Sequence, residues 1–170
     1  MGDKNKIVVL SDCHDSDVYL KKVSEMHSDA DLFLFCGDGL NKFIPLCDKK
    51  GFNHYEVCGN CDYVYGEQKK IFAFADMTFL MLHSHNCDYD EMIELAMIEN
   101  ADFLLYGHTH VAENIYIPSD ELKYYSKARN KGLYVVNPGS ITRPKDMFMK
   151  PSFALIDIID RKTSVSIGRF

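Results

Sequence analysis

Five short polar clusters each end an apolar, β-branched or aromatic run: Asp12-Cys13-His14, Gly37-Asp38, Gly59-Asn60-Cys61-Asp62, His83-Ser84-His85 and Gly107-His108-Thr109-His110. They supply carboxylates, imidazoles and one amide, a donor set suited to borderline divalent metals such as manganese, iron, nickel or zinc. Two cations held about 3.5 to 4 Å apart need a carboxylate that binds both, and each needs neutral ligands of its own. Asp38 follows a glycine that lets the backbone turn tightly, which makes it the candidate bridge. Asp12 and His14 are spaced by two, as are His83 and His85, and His108 and His110. Residues two apart in an extended segment face the same way. The Asn60 amide oxygen adds a ligand without adding charge. The chemistry expected is that of a metal enzyme holding two metals.

These clusters converge only if the strands before them run parallel for much of a sheet, because ligands then gather beyond the carboxyl ends. Apolar runs at residues 7–10, 32–35 and 103–106 read as strands buried in a sheet, and His54-Tyr55-Glu56-Val57 reads as a further, shorter strand. Residues 70–82 read as two strands joined near Asp76-Met77, and 114–117, 133–136, 153–159 and 163–167 complete the strand set. Helices are predicted over 17–27, capped by Ser16 or Asp17, over 40–49, ended by Gly51, and over about 88–100. The first half alternates strand and helix while the second is mostly strands. Two sheets packed face to face with helices outside satisfy both halves. Residues 118–131 read as an insertion, either a short helix or a flap. His27 and His54 fall outside the clusters and read as plain surface residues.

With 170 residues, 46% hydrophobic and 26% charged, the chain fits one domain over residues 1–170 and neither a disordered nor a fibrous class. A formal net charge of −6 argues against a strong nucleic-acid surface, since that affinity comes mostly from neutralising phosphate. Bound divalent cations would reverse the sign locally. No secretory signal or membrane-length apolar run is visible, so the expectation is a cytoplasmic protein. The six cysteines lack a compact disulfide spacing and read as reduced thiols. Cys58 and Cys61 formally match C-x-x-C, but Cys58 ends a strand and reads as a buried structural thiol. Cys13 and Cys61 lie inside the metal clusters, where oxidation would affect activity.

In order and spacing, D-x-H, GD, GN-x-D, H-x-H and GHTH resemble the calcineurin-like metallophosphoesterases, above all their small single-domain prokaryotic phosphodiesterases. The resemblance covers essentially the whole chain. It implies a four-layer α-β-β-α sandwich of two mixed β-sheets flanked by helices. It implies Asp12, His14, Asp38 and His110 at one metal, and Asp38, Asn60, His83 and His108 at the other. A hydroxide held between the cations would attack phosphorus in line, with no serine or cysteine nucleophile. Manganese is the leading metal, with nickel, iron, zinc and magnesium as alternatives. The substrate expected is a small phosphodiester, nucleotides included, and a homo-oligomer is compatible with the sequence.

Three positions depart from the family pattern. Cys61 stands where many members carry His, which leaves the general acid open between Cys61, Asp62 and His85. Asp15 replaces the glycine common after the first His, placing an extra carboxylate near the mouth that would repel highly anionic substrates. Ser84 replaces the glycine usual between the two histidines, a small change. Asn137-Pro138-Gly139-Ser140 is either a simple turn or, as the resemblance places it, a loop whose Asn137, Ser140 or Arg143 touches substrate. Two rivals to the diesterase share the fold: a phosphomonoesterase, and a protein-interaction scaffold like the retromer subunit that has altered the bridging Asp and the Asn. This chain keeps Asp38 and Asn60.

Overall fold

A computed structural model describes residues 4–63, 66–125, 130–160 and 162–170. Ten strands and three α-helices follow one another: β1 (Lys4–Leu10), α1 (Val18–Met26), β2 (Leu32–Phe35), α2 (Leu40–Lys50), β3 (His54–Glu56), β4 (Lys69–Phe74), β5 (Met77–Leu82), α3 (Tyr89–Ile98), β6 (Phe103–Tyr106), β7 (Ala112–Ile117), β8 (Leu133–Pro138), β9 (Ser152–Ile159) and β10 (Lys162–Arg169). One five-stranded sheet has the order β10-β9-β1-β2-β3 and the other β4-β5-β6-β8-β7. In the first, β1, β2 and β3 are parallel. In the second, β5, β6 and β8 are parallel. Antiparallel β9 and β10, and β4 and β7, complete the two mixed sheets.

Alternation along each strand divides the apolar residues among three packed layers. Ile7 and Val9 join Leu34, Phe79, Met81, Phe103 and Leu105 between the sheets. Their neighbours Val8 and Leu10 point the other way, onto Leu20 and Val23 of α1 and Phe43 of α2. Leu80 and Leu104 likewise meet Met92, Ile93 and Ala96 of α3. The result is the expected α-β-β-α order. An aromatic residue also sits in register on every strand of the second sheet. Phe72 pairs with Phe79, Phe79 with Phe103, Phe103 with Tyr134, and Tyr134 with Tyr116. Successive ring centroids along this row lie 4.6 to 5.1 Å apart.

Helix ends differ in how they are made. At α3, Asp88 accepts from the Glu91 N–H and Glu91 accepts from the Asp88 N–H, both at 2.9 Å, a reciprocal cap. Gly51 ends α2 in the left-handed conformation, as predicted. Asp17 occupies the cap position of α1 without capping it, a correction to the sequence reading. Its carboxylate accepts no helix N–H and pairs with Lys21 at 2.7 Å instead, while Ser16 Oγ, the other candidate, accepts from the Val18 N–H at 3.5 Å. Within 118–131, Glu121–Tyr124 forms a single 3-10 turn whose Leu122 is fully buried in the α3 layer. The rest of that expectation, residues 126–129, lies outside the described residues. Nor are His27 and His54 plain surface residues. His27 packs on Phe153 with ring centroids 5.3 Å apart, and His54 bonds Glu56 at 2.8 Å.

Candidate metal centre

The ends of β1, β2, β5 and β6 bring four of the five clusters into contact, with the loop after β3 alongside. Asp12 and Asp38 are buried carboxylates, and His83 and His110 are buried imidazoles. His83 Nδ1 lies 2.6 Å from the Cys36 carbonyl and His110 Nδ1 2.7 Å from the Arg143 carbonyl. A carbonyl only accepts, so each Nδ1 carries a proton and each Nε2 is the nitrogen turned to the site. His110 Nε2 is 3.2 Å from Asp12 Oδ1 and 3.3 Å from His14 Nε2. His83 Nε2 is 3.4 Å from Asp38 Oδ2. The ligating atoms of Asp12, His14 and His110 fall within 4.8 Å of one another, as do those of Asp12, Asp38 and His83. Asp12 Oδ1 and His83 Nε2 are buried with no hydrogen-bond partner. Buried polar atoms left without partners are costly, and a divalent cation satisfies them together, so the donor set fits a metal.

Positive backbone angles concentrate here. Asp12, His14, Asp38, His108 and His110, five of the seven expected ligands, have φ between 46° and 69°. Such angles are uncommon for residues with a Cβ and cluster at functional sites. They also correct the reason given for the spacing of two, because these segments are not extended. His110 turns to Asp12 and His14, while the His108 ring lies 5.2 Å from that of His83. The strained turns are pinned to each other: Asp12 N–H donates to the Gly37 carbonyl and His14 N–H to the Asp38 carbonyl, both at 2.9 Å.

Around Asp38 the third cluster forms a cradle. The Cys61 N–H donates to Asp38 Oδ1 at 2.7 Å. Burial works to raise the Asp38 carboxyl, but the His83 imidazole and the Cys61 N–H outweigh it and hold it well below the usual carboxylate range. The Asp62 carboxylate accepts four backbone N–H groups, those of Asp38, Gly39, Leu40 and Gly59, at 2.8 to 2.9 Å. A carboxylate so occupied holds the loops together. Asn60 is exposed, its Nδ2 donating to Cys61 Sγ at 3.4 Å. Cys61 is exposed, and burial of its thiol together with Asp38 and Asp62 pushes it up. Its Sγ lies within ligand distance of His14 and Asp38. The His85 ring stands 5.5 Å from that of His83 and 6.2 Å from that of His108. Burial, then the charge of His83, lower it.

Beside these groups opens a cleft of about 290 Å³, lined among others by His14, Asp38, Asn41, Cys61, Tyr63 and Arg143. Of the three open positions at the end of β8 and in the loop beyond it, only Arg143 lines the cleft. Asn137 is buried, donating to the Gly107 carbonyl at 3.1 Å. Ser140 is buried, donating to the Asp12 carbonyl at 2.8 Å. Asp15 is not a bare carboxylate at the mouth, since Arg143 Nη2 donates to it at 2.8 Å. Asn41 and Tyr63 escaped sequence reasoning, and neither residue type nor spacing marks them. All six cysteines are free thiols, and Cys13 and Cys58 are buried.

Residues 6–161 match the family model of the calcineurin-like phosphoesterase superfamily domain, and the chain belongs to that superfamily. A probable metallophosphoesterase of Mycoplasma pneumoniae is 26% identical over 168 residues, covering 94% of this chain and 93% of the relative. Among solved structures, a Streptococcus pneumoniae protein described as a predicted phosphoesterase superposes with a TM-score of 0.77 at 22% identity, over 98% of this chain and 90% of that one. An archaeal phosphodiesterase reaches 0.71 at 21% identity, over 97% and 99%. Vacuolar protein sorting 29 of Cryptosporidium parvum also reaches 0.71, at 15% identity over 98% of each chain. At these identities the three structures attest the shared fold. No helix among the described residues is long and apolar enough to cross a membrane.

Proposed function

We propose that this phosphoesterase is a metal-dependent phosphodiesterase acting on small phosphodiesters, nucleotides included, with two divalent cations, manganese foremost. Asp12, His14, Asp38 and His110 would hold one cation, and Asp38, Asn60, His83 and His108 the other. When bound, the cations neutralise phosphate charge and acidify the water that attacks phosphorus. The observation that carries this reading is the pair of buried carboxylates facing the Nε2 atoms of His83 and His110, whose opposite ring nitrogens are tied to main-chain carbonyls. That arrangement fixes tautomer and ring orientation before any ligand arrives. Asp38 lies within 4.8 Å of His14 and Cys61 in one group of ligand atoms and of Asp12 and His83 in another, and it stays ionised, as a bridge must. Proton delivery to the leaving alcohol falls to His85 or Cys61, with Asp62 left to hold the loops.

The test is hydrolysis of bis-p-nitrophenyl phosphate beside p-nitrophenyl phosphate, after chelation and again with manganese, nickel or magnesium restored. Diester cleavage that follows the metal is the expected result. Cleavage of the monoester alone would make the protein a phosphomonoesterase. Inactivity with two metals demonstrably bound would favour the scaffold reading, a role open to this fold when its chemistry is lost.

A further inference from the structure

Charge at the mouth of the cleft is unbalanced in a specific way. Among the described residues lining it, Arg143 is the only Lys or Arg, against the carboxylates of Asp15, Asp38 and Asp62. Two of those carboxylates are committed, Asp38 to the ligand cluster and Asp62 to four backbone N–H groups. Asp15 alone is free to trade partners, and it holds the guanidinium. The main chain of Arg143 cannot drift. Its N–H donates to Ser140 Oγ at 2.7 Å and its carbonyl accepts from His110 Nδ1 at 2.7 Å. The guanidinium is therefore hung from the same peptide that orients an expected metal ligand. Both charged side chains are open to solvent, 57% for Arg143 and 92% for Asp15. Exposed pairs of this kind are weakly held and readily exchanged. A phosphate oxygen offers guanidinium the same charge-assisted geometry as a carboxylate.

Resting on the phosphoesterase reading above, we propose that Arg143 is the clamp for a non-bridging phosphate oxygen of the substrate and Asp15 its built-in competitor. The pair selects monoanionic phosphodiesters over dianionic phosphomonoesters. On binding, the phosphate replaces Asp15 at the guanidinium, and the released carboxylate stays at the mouth. It repels a dianion about twice as strongly as a monoanion, because Coulomb energy scales with charge. Asp15 therefore disfavours the monoester, and its removal relieves the monoester most.

The experiment compares kcat/KM for bis-p-nitrophenyl phosphate and p-nitrophenyl phosphate in manganese-loaded wild type, Asp15→Asn and Arg143→Gln, with metal content measured in each. Calorimetric titration with inorganic phosphate is run alongside. Asp15→Asn should raise kcat/KM for the monoester about five- to tenfold, mainly through KM, with a smaller gain for the diester, and should tighten phosphate binding. Arg143→Gln should weaken phosphate binding and raise KM for both esters. An unchanged diester-to-monoester ratio in Asp15→Asn, with full metal content, overturns the proposal. Loss of metal in Arg143→Gln would not decide the matter by itself, so Arg143→Lys, which keeps the charge and loses the fork, must fall between wild type and Gln in phosphate affinity. If the metal-loaded wild type cleaves neither ester, the phosphoesterase reading fails. Phosphate affinities that rise in Asp15→Asn and fall in Arg143→Gln would still support the clamp, and unchanged affinities would overturn it.

Discussion

Asp62 ties two turns together with one side chain, because its carboxylate reaches the N–H groups of Asp38, Gly39 and Leu40 in one and of Gly59 in the other. Hydrogen bonds to a charged acceptor contribute about 1.5 to 3 kcal/mol each, and four that share an acceptor are not additive. Asp62→Ala is expected to lower unfolding free energy by about 3 kcal/mol or more in urea titration, with weaker metal retention. An acid in catalysis would behave differently, losing rate while keeping stability and metal. The residue types in the five clusters were readable from the sequence. The division of labour among them was not, since Asp62 and Asp38 differ only in what surrounds them. The same holds for His83 and His110, where carbonyls from Cys36 and Arg143 choose the nitrogen that faces the site.

At the scale of elements, the site depends on how tightly the loops after β2 and β3 approach. A Cβ built on Gly59 would stand 2.1 Å from Asp38 Oδ1 and 2.5 Å from Asp38 N. Neither atom can retreat, because Asp38 is held by Asp62 and Cys61. Gly59→Ala should therefore keep its far-UV circular dichroism yet bind manganese at least about tenfold more weakly by calorimetry. Wild-type affinity in this variant would mean that the loops have more freedom than their contacts allow. Strands and helices were legible because each apolar run has a length and period of its own. The left-handed angles at Asp12, His14, Asp38, His108 and His110 were not, since ordinary residue types preceded by parallel strands carry no signature of them. A spacing of two promised a shared direction, but the turns send His108 and His110 to different neighbours.

Across the whole molecule, the two sheets are joined by an inner layer in which Phe79 is fully buried between Phe72 and Phe103. Phe79 lies on β5, and His83 directly follows the end of that strand, so the inner layer and the metal centre are joined through β5. Truncation there leaves a cavity the neighbouring rings cannot close, and Phe79→Ala should cost about 3 to 5 kcal/mol. Thermal unfolding checks this: a melting temperature within a few degrees of wild type would show that the inner layer collapses around the gap. The row of rings from Phe72 to Tyr116 is visible only in the register of five strands, of which β6 and β8 pair out of sequence order.

By itself the sequence determined the period of each element, the five polar clusters where strands end, and the donor types gathered in them. These are local properties, set by the side chains on a few consecutive residues. Tertiary structure alone decided which donor faces which. It set Arg143 on Asp15, Asp62 on four N–H groups and the unpartnered atoms of Asp12 and His83 on a common space. Those pairings join residues up to 128 positions apart, and nothing short of the packed sheets can bring them together.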